Sequence, residues 1–494
     1  MAVLDLSSLV LIVNFLLGPI VAVILYLNAA AIIVTIIFVK PRQVTSIYLW
    51  IASFLLLPMV FVIVFYIWFG RDYHHQKVFK TKGKSDFTVV ETLRQQRKSL
   101  LFSSESYEST LHENMDLARM LLTSNHSFVT LDNEVRYFND GDAFFKVLFE
   151  EIANAKRFIH MEMYIIRDDE LGRRLVHELA VKARQGVDVK LLIDAVGCHK
   201  LPRKFFRELQ EAEGRKADYF PSLIKQVNPR INNRNHRKLV VIDGETGICS
   251  GFNVGIEYTG RGPLGPWRDD GVVMKGGSAI AIETRFIQDW NFAAHDTIAI
   301  TPYLPEADGK GKSPVQIVSG GPDSDNSPIR QHYLKMISMA KKKIYIQTPY
   351  FVPEGSVIVA LEMAAMSGVE VHLMIPSQPD HPFVFWASTF NAGYLLASGV
   401  KVHEFKPGFI HAKICVIDDQ VASVGSANFD VRSFGLNFET NAVIYDAEVA
   451  QEIGRMYLKD VADHCEDLTL EQYNARSRWT RVKESVARLY TPIA

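Results

Sequence analysis

The apolar residues of this chain are unevenly spread, and the unevenness divides it. Residues 6–39 carry no charged side chain, and as one helix those 34 positions would extend ~51 Å against a hydrocarbon layer of about 30 Å. One strongly tilted span with an interfacial overhang fits, and so does a hairpin broken at Gly18-Pro19 or Asn28. Residues 47–69 are apolar for 23 positions, with Tyr48 and Trp50 near one end and Tyr66 and Trp68 near the other. That is the aromatic pattern of a bilayer-spanning helix, and Pro58 inside it is tolerable in lipid. A cleaved leader is not expected, because no basic stretch precedes the first run and no small-residue cleavage site follows it.

Residues 73–128 are polar and mixed, which reads as a linker with some helix over 114–123. From residue 129 the pattern changes to a helix over 142–155, a strand over 158–165, a helix over 170–185 and a buried strand over 187–193, an α/β alternation. It recurs as a strand over 344–351, a helix over 357–367 and a strand over 369–375. Gln185-Gly186-Val187-Asp188-Val189-Lys190-Leu191 and Ser367-Gly368-Val369-Glu370-Val371-His372-Leu373 are the same unit, each Gly closing a helix. The expectation is an α/β fold of two repeats, 129–312 and 313–494, each a mixed sheet flanked by helices and related by a pseudo-twofold. An N-terminal transmembrane region of about two helices, residues 1–72, precedes them. A helix is expected over 447–463. At the end Val482, Val486, Leu489 and Tyr490 recur at helical spacing opposite Arg481, Lys483 and Arg488. That helix reads equally as packed on the body or in contact with anionic lipid headgroups.

Chemistry enters with one short pattern that occurs twice. His236 is followed by Lys238, Asp243 and Asn253, and His411 by Lys413, Asp418 and Asn428, at the same offsets of two, seven and seventeen. Four residue types in register mark an internal repeat. Each His and Lys heads a β-branched apolar run, and strand side chains alternate, so the pair shares a face. Two copies facing each other would gather two imidazoles, two ammoniums and two carboxamides around one anion. A phosphodiester repels anionic nucleophiles, so a neutral imidazole is a suitable attacker, and with an ordinary pKa near 6.5 one His can be neutral while its twin is protonated. Asp243 and Asp418 belong to the motif and are counted with the catalytic set, although their odd offset and the following Gly244 and Asp419 favour pinning a hairpin turn.

The pattern resembles the His-x-Lys-x4-Asp-x6-Gly-Ser-x-Asn signature of the phospholipase D superfamily. Two copies behind a hydrophobic N-terminus resemble its bacterial cardiolipin synthase branch. The second copy fits throughout, and the first has Ser250-Gly251 in place of Gly-Ser. The likeness extends through Ile159-His160-Met161-Glu162-Met163-Tyr164, Arg230-x-Asn232-x-Arg234-Asn235-His236, Trp267-Arg268-Asp269, Gln347-Thr348-Pro349-Tyr350 and Asn437-Phe438-Glu439. It implies that His236 attacks phosphorus and that His411 is the general acid, then the base. Lys238, Lys413, Asn253, Asn428 and Ser426 would hold the phosphate oxygens. Glu439 is expected to orient His411, and Asp269 to orient His236. His160 and Glu162 are expected to line the pocket, with Ile346 and Thr348 at those places in the second repeat. No cofactor or metal is implied, because Lys and His supply the positive charge. The expected reaction passes a phosphatidyl group from one phosphatidylglycerol to another.

Bulk properties narrow the alternatives. A net charge of -1 is not the basic footprint of a nucleic-acid partner, which counts against the nuclease branch. The four cysteines have no metal-like spacing, and Cys249 and Cys415 read as small packing residues. Arg71, Lys77, Lys80, Lys82 and Lys84 follow the second apolar run, against Lys40 and Arg42 between the runs. The body is therefore expected on the cytoplasmic side. A membrane phospholipase D, a synthase using another alcohol, and an inactive lipid-binding scaffold remain the competing functions.

Overall fold

The computed structural model describes residues 109–221, 233–304, 311–324 and 326–490, with a few helical positions between residues 18 and 30. Backbone proximity divides the chain into Met1–Asp72 and Tyr73–Ala494, and the second unit is the one described below. Among the described residues no helix is long and apolar enough to cross a membrane. The apolar runs 6–39 (apart from those few positions) and 47–69, the basic residues used for topology, and Arg230 and Asn232 lie outside the described residues.

The strands of the first repeat are β1 (Val129–Phe138), β2 (Phe158–Met163), β3 (Asp188–Asp194), β4 (Arg215–Tyr219), β5 (Arg234–Asn235), β6 (Leu239–Ile242), β7 (Thr246–Ser250), β8 (Trp267–Arg268) and β9 (Gly271–Lys275). Those of the second are β10 (Ser313–Gly320), β11 (Lys343–Gln347), β12 (Glu370–Pro376), β13 (Lys401–Phe405), β14 (Phe409–Ile410), β15 (Ile414–Ile417), β16 (Val421–Gly425), β17 (Asn437–Ile444) and β18 (Cys465–Leu468). Sixteen of them form one mixed sheet. Antiparallel pairing of β1 with β10 is its seam. Outward from the seam the first half runs β1-β9-β7-β6-β2-β3-β4, and the second runs β10-β17-β16-β15-β11-β12-β13 before β18 closes its edge. The same order on both sides of one seam is the pseudo-twofold.

Helices cover the sheet because its strands are apolar on both faces. They include α1 (Met115–Asn125), α2 (Gly141–Asn154), α3 (Glu170–Arg184), α4 (Ser278–Ala294), α5 (Pro328–Met339), α6 (Gly355–Met366), α7 (Pro382–Leu395), α8 (Val431–Gly435), α9 (Ala447–His464) and α10 (Arg478–Tyr490). Local signals set several ends: Asp140, Asp169 and Asp446 cap α2, α3 and α9 through their side chains, and Gly186 and Gly368 take left-handed φ of 87° and 92° just past α3 and α6. One boundary differs from expectation. Ser109–Glu113 and Met115–Asn125 are helical, with Leu111, Leu117 and Leu121 fully buried, so the end of the expected linker belongs to the body.

The two motif hairpins explain Asp243 and Asp418. Each ends its strand at a left-handed turn, Asp243-Gly244 with φ of 55° and 76° and Asp418-Asp419 with φ of 53° and 57°, the geometry a tight hairpin needs. The Asp243 carboxylate accepts from the backbone of Lys156, Arg157 and Phe158 at 2.8, 2.8 and 3.0 Å. Asp418 accepts from Lys341, Lys342 and Lys343 at 2.8, 2.7 and 2.9 Å. These carboxylates tie the turn to the start of the neighbouring strand. Seven residues of extended chain separate them from the histidines, about 20 Å, which removes both from the catalytic set.

Candidate active site

Each motif histidine is set by a short strand that crosses to the other repeat. β5 pairs in parallel with β17, and the His236 N–H donates to the Phe438 carbonyl at 2.9 Å. β14 pairs in parallel with β8, and the His411 N–H donates to the Arg268 carbonyl at 2.7 Å. The carboxylates follow the strands. His236 Nδ1 bonds Glu439 at 3.0 Å and His411 Nδ1 bonds Asp269 at 2.5 Å, so the expected assignment is reversed. Sequence order suggested pairing within a repeat; the crossed strands place each carboxylate in the opposite one. Both Nδ1 atoms are thereby engaged, leaving each Nε2 as the ring nitrogen available for chemistry.

The lysines lie beside the rings. Lys238 Nζ donates to the His236 carbonyl at 2.7 Å and stands 5.1 Å from the Tyr164 ring. Lys413 Nζ bonds the His411 carbonyl and lies 2.8 Å from His411 Nδ1. Tyr164 packs edge-on to His236 at 4.7 Å. Trp267 and Tyr258 flank His411 at 5.4 and 5.6 Å. Tyr164, Tyr258 and Trp267 were not in the expected site set; Tyr164 and Trp267 stood inside recognised segments, whereas nothing in the sequence distinguished Tyr258.

Burial dominates the electrostatics. It pulls the His236 imidazole down to about 4, with Glu439 opposing, and the Lys238 ammonium down to about 7. Burial, then Lys413, Lys238 and His236, hold His411 well below its ordinary value, and burial lowers Lys413. The two imidazoles and the two ammoniums therefore lie within electrostatic range of one another. The carboxylates diverge: burial lifts Asp269 to about 6 despite Lys413. For Glu439 burial also acts upward, but the charge and hydrogen bond of His236, with Lys238 and Ser426, hold it below the usual carboxylate range.

The loops of the two copies also give the two carboxylates different hydrogen-bond donors. Ser426 Oγ donates to Glu439 at 2.5 Å, Ser433 Oγ at 2.8 Å and Asn437 Nδ2 at 3.2 Å. In the first copy position 251 is Gly, and a Cβ there would come within 2.1 Å of the Asp269 carboxylate. Asp269 instead accepts from the Asp270 N–H at 2.8 Å.

The remaining expected residues take other places. Asn428 Nδ2 bonds Asp430 at 3.1 Å, and its Oδ1 is buried without a hydrogen-bond partner. Asn253 accepts from the Ile165 N–H at 3.2 Å and donates to the Tyr258 hydroxyl at 2.5 Å. His160 bonds Glu283 of α4 at 2.7 Å, and Glu162 accepts from Asn235 at 2.5 Å. Register explains why those two miss the pocket. His160 pairs with Val241 and Glu162 with Leu239, which puts them on the face of Asn235 and Arg237, opposite His236 and Lys238. It also corrects their counterparts: Ile344 pairs with Ile417 as Ile159 pairs with Ile242, so Tyr345 and Gln347, not Ile346 and Thr348, match His160 and Glu162. On that hidden face Arg237 bonds Asp289 at 2.6 Å and the Gly320 carbonyl at 3.0 Å, anchoring the motif strand to α4.

A duplicated His-Lys loop on a two-lobed mixed sheet defines the phospholipase D superfamily. The model of the cardiolipin synthase, phospholipase D-like domain matches residues 148–261 and 333–461. The cardiolipin synthase of Staphylococcus aureus (strain Mu50) is 43% identical over 466 residues, 93% of each chain. The major cardiolipin synthase of Bacillus subtilis (strain 168) is 41% identical over 493 residues, 99% of this chain and 100% of that one. The crystal structure of phosphatidylserine synthase from Haemophilus influenzae Rd KW20 superposes with a TM-score of 0.57 at 16% identity, covering 78% of this chain and 98% of that one, a likeness of fold. The chain belongs to the cardiolipin synthase family of phosphatidyltransferases.

Proposed function

We propose that the protein joins two phosphatidylglycerol molecules into cardiolipin and glycerol, with His236 as nucleophile. His236 Nε2 attacks phosphorus, forming a P–N bond as the bond to the glycerol oxygen breaks, and His411 gives that oxygen its proton. His411 then takes the proton of the terminal hydroxyl of a second phosphatidylglycerol, whose oxygen attacks phosphorus and expels His236. Lys238 and Lys413 balance the charge on the non-bridging oxygens. The observation carrying this reading is the crossed pair of Nδ1–carboxylate bonds, which leaves two Nε2 atoms for one phosphorus.

His236, at about 4, is neutral at pH 7 and ready to attack. A bound phosphodiester adds a negative charge that raises both imidazoles, and the protonated member is assigned to His411. Membrane anchorage by residues 1–72, with the body on the cytoplasmic side, brings the acceptor to the site at high local concentration and favours lipid alcohol over water.

Purified protein supplied with labelled phosphatidylglycerol should form cardiolipin and, on quenching, an alkali-stable, acid-labile lipid adduct lost in His236→Ala. Phosphatidic acid as the sole product would make the protein a hydrolase. A cysteine introduced beside Lys82 should resist an impermeant thiol reagent in intact cells; ready labelling would reverse the topology.

A further inference from the structure

The C-terminal helix α10 is divided lengthwise into three stripes. Thr480, Lys483, Glu484 and Ala487 turn inward, with Glu484 and Ala487 buried. Lys483 lies over the Trp386 ring at 5.2 Å and Arg488 over Phe390 at 4.8 Å, which seats the helix on α7. A second stripe is apolar and open: Trp479, Val482 and Val486 are 67%, 48% and 43% exposed. Arg478, Arg481 and Arg488, all exposed, form the third. The helix contains one acid, Glu484, which is buried against Arg476 at 3.0 Å. Its outer surface is therefore half apolar and half cationic, on a chain whose net charge is -1.

The helix also leans on the rim of the site. Ala487 packs with Ala387 and Val352. The Val352 N–H donates to the Phe429 carbonyl at 2.9 Å, and its carbonyl accepts from Val431 at 3.1 Å, so one residue layer separates α10 from the loop of Asn428. On α7, Phe383 adds a further open aromatic, 57% exposed.

We propose that α10, with the exposed edge of α7, is a docking surface for the headgroup layer of an anionic phospholipid bilayer. Trp479, Val482 and Val486 enter the interface and the arginines meet lipid phosphates. The surface holds the rim beside Val352 against the layer from which the substrates come. This deepens the proposed function and rests on it only for the meaning of the docking, since binding can be read without turnover.

The test uses the full chain reconstituted in vesicles. Cys198, Cys249 and Cys415 are buried and Cys465 is partly so, so a Cys465→Ser, Trp479→Cys protein can carry an environment-sensitive fluorophore on that one thiol. Its emission should move to shorter wavelength in vesicles of phosphatidylcholine with phosphatidylglycerol, and return towards the aqueous value in high salt or in phosphatidylcholine alone. An aqueous spectrum in both vesicles, or a salt-indifferent blue shift in both, overturns the proposal. The triple variant Trp479→Asp, Val482→Asp, Val486→Asp should lose about tenfold in rate on vesicle phosphatidylglycerol and keep the wild-type rate on a short-chain, water-soluble one. Unchanged vesicle activity, or equal loss on both substrates, also overturns it. A wild-type protein that makes no cardiolipin would instead defeat the proposed function, leaving the fluorescence result to stand.

Discussion

The two half-sites are built from the same parts, yet they hold their protons differently. Around His236 the partner carboxylate, Glu439, takes hydrogen bonds from Ser426, Ser433 and Asn437 besides the imidazole. Around His411 the partner is Asp269, with one backbone donor and no hydroxyl, because position 251 is a glycine pressed against it. Buried but well supplied with hydrogen bonds, Glu439 stays ionised and fixes one tautomer of His236. Asp269, raised to about 6, is a weaker anchor beside the ring proposed to pass a proton both ways. The Ser426 hydroxyl adds to the effects of His236 and Lys238 in holding Glu439 down, and Asp269 has no such donor.

Removing the rings should have the largest effect. His236→Ala should cost at least about 10⁴-fold in turnover with no adduct. His411→Ala should cost as much with phosphatidylglycerol, yet still form the adduct from a substrate whose leaving group needs no proton, such as a p-nitrophenyl phosphodiester. Adduct formation that depends on His411 and not on His236 would exchange the two roles. Next come the carboxylates: Glu439→Gln should slow adduct formation about 10³-fold and Asp269→Asn about 10²-fold, measured by rapid quench. Equal losses would mean that the extra donors around Glu439 have no kinetic meaning.

A finer probe removes the hydroxyl that the first loop lacks at the matching position, Gly251. Ser426→Gly should cost roughly tenfold and move the acid limb of the rate profile to higher pH, because Glu439 loses a donor to its charged form. Lys238→Arg reads the opposite limb. With its ordinary value lowered to about 7, the Lys238 ammonium is lost as pH rises through that value, more slowly with phosphodiester bound, so wild-type activity should fall on the alkaline side. In Lys238→Arg the fall should move upward or disappear. The smallest effects belong to the hairpin carboxylates. Asp243→Asn and Asp418→Asn should each cost about 1–2 kcal/mol in stability by losing backbone acceptors, with kcat unchanged once folded.

How much of this was legible in sequence depended on distance along the chain. The repeat, the α/β alternation over 158–193 and 344–375, and the hairpins at Asp243 and Asp418 are written in local periodicity and turn chemistry, and the elements lie within a few residues of the expected bounds. What crosses between repeats was not readable. Glu439 follows His411 and Asp269 follows His236 in the chain, and only the pairing of β5 with β17 and β14 with β8 exchanges them. The misplacement of His160 and Glu162 had a different cause, a strand register taken one residue out, which moves a side chain to the other face. Tyr258 reaches His411 through a loop fold with no periodic signal.

The exchange of β5 and β14 has a consequence for ancestry and for engineering. A lone half of this chain contains one imidazole and one carboxylate that cannot meet, so an ancestral protein with a single motif could work only by embracing a second copy of itself. A gene cut at the seam should therefore regain function only when both pieces are expressed together.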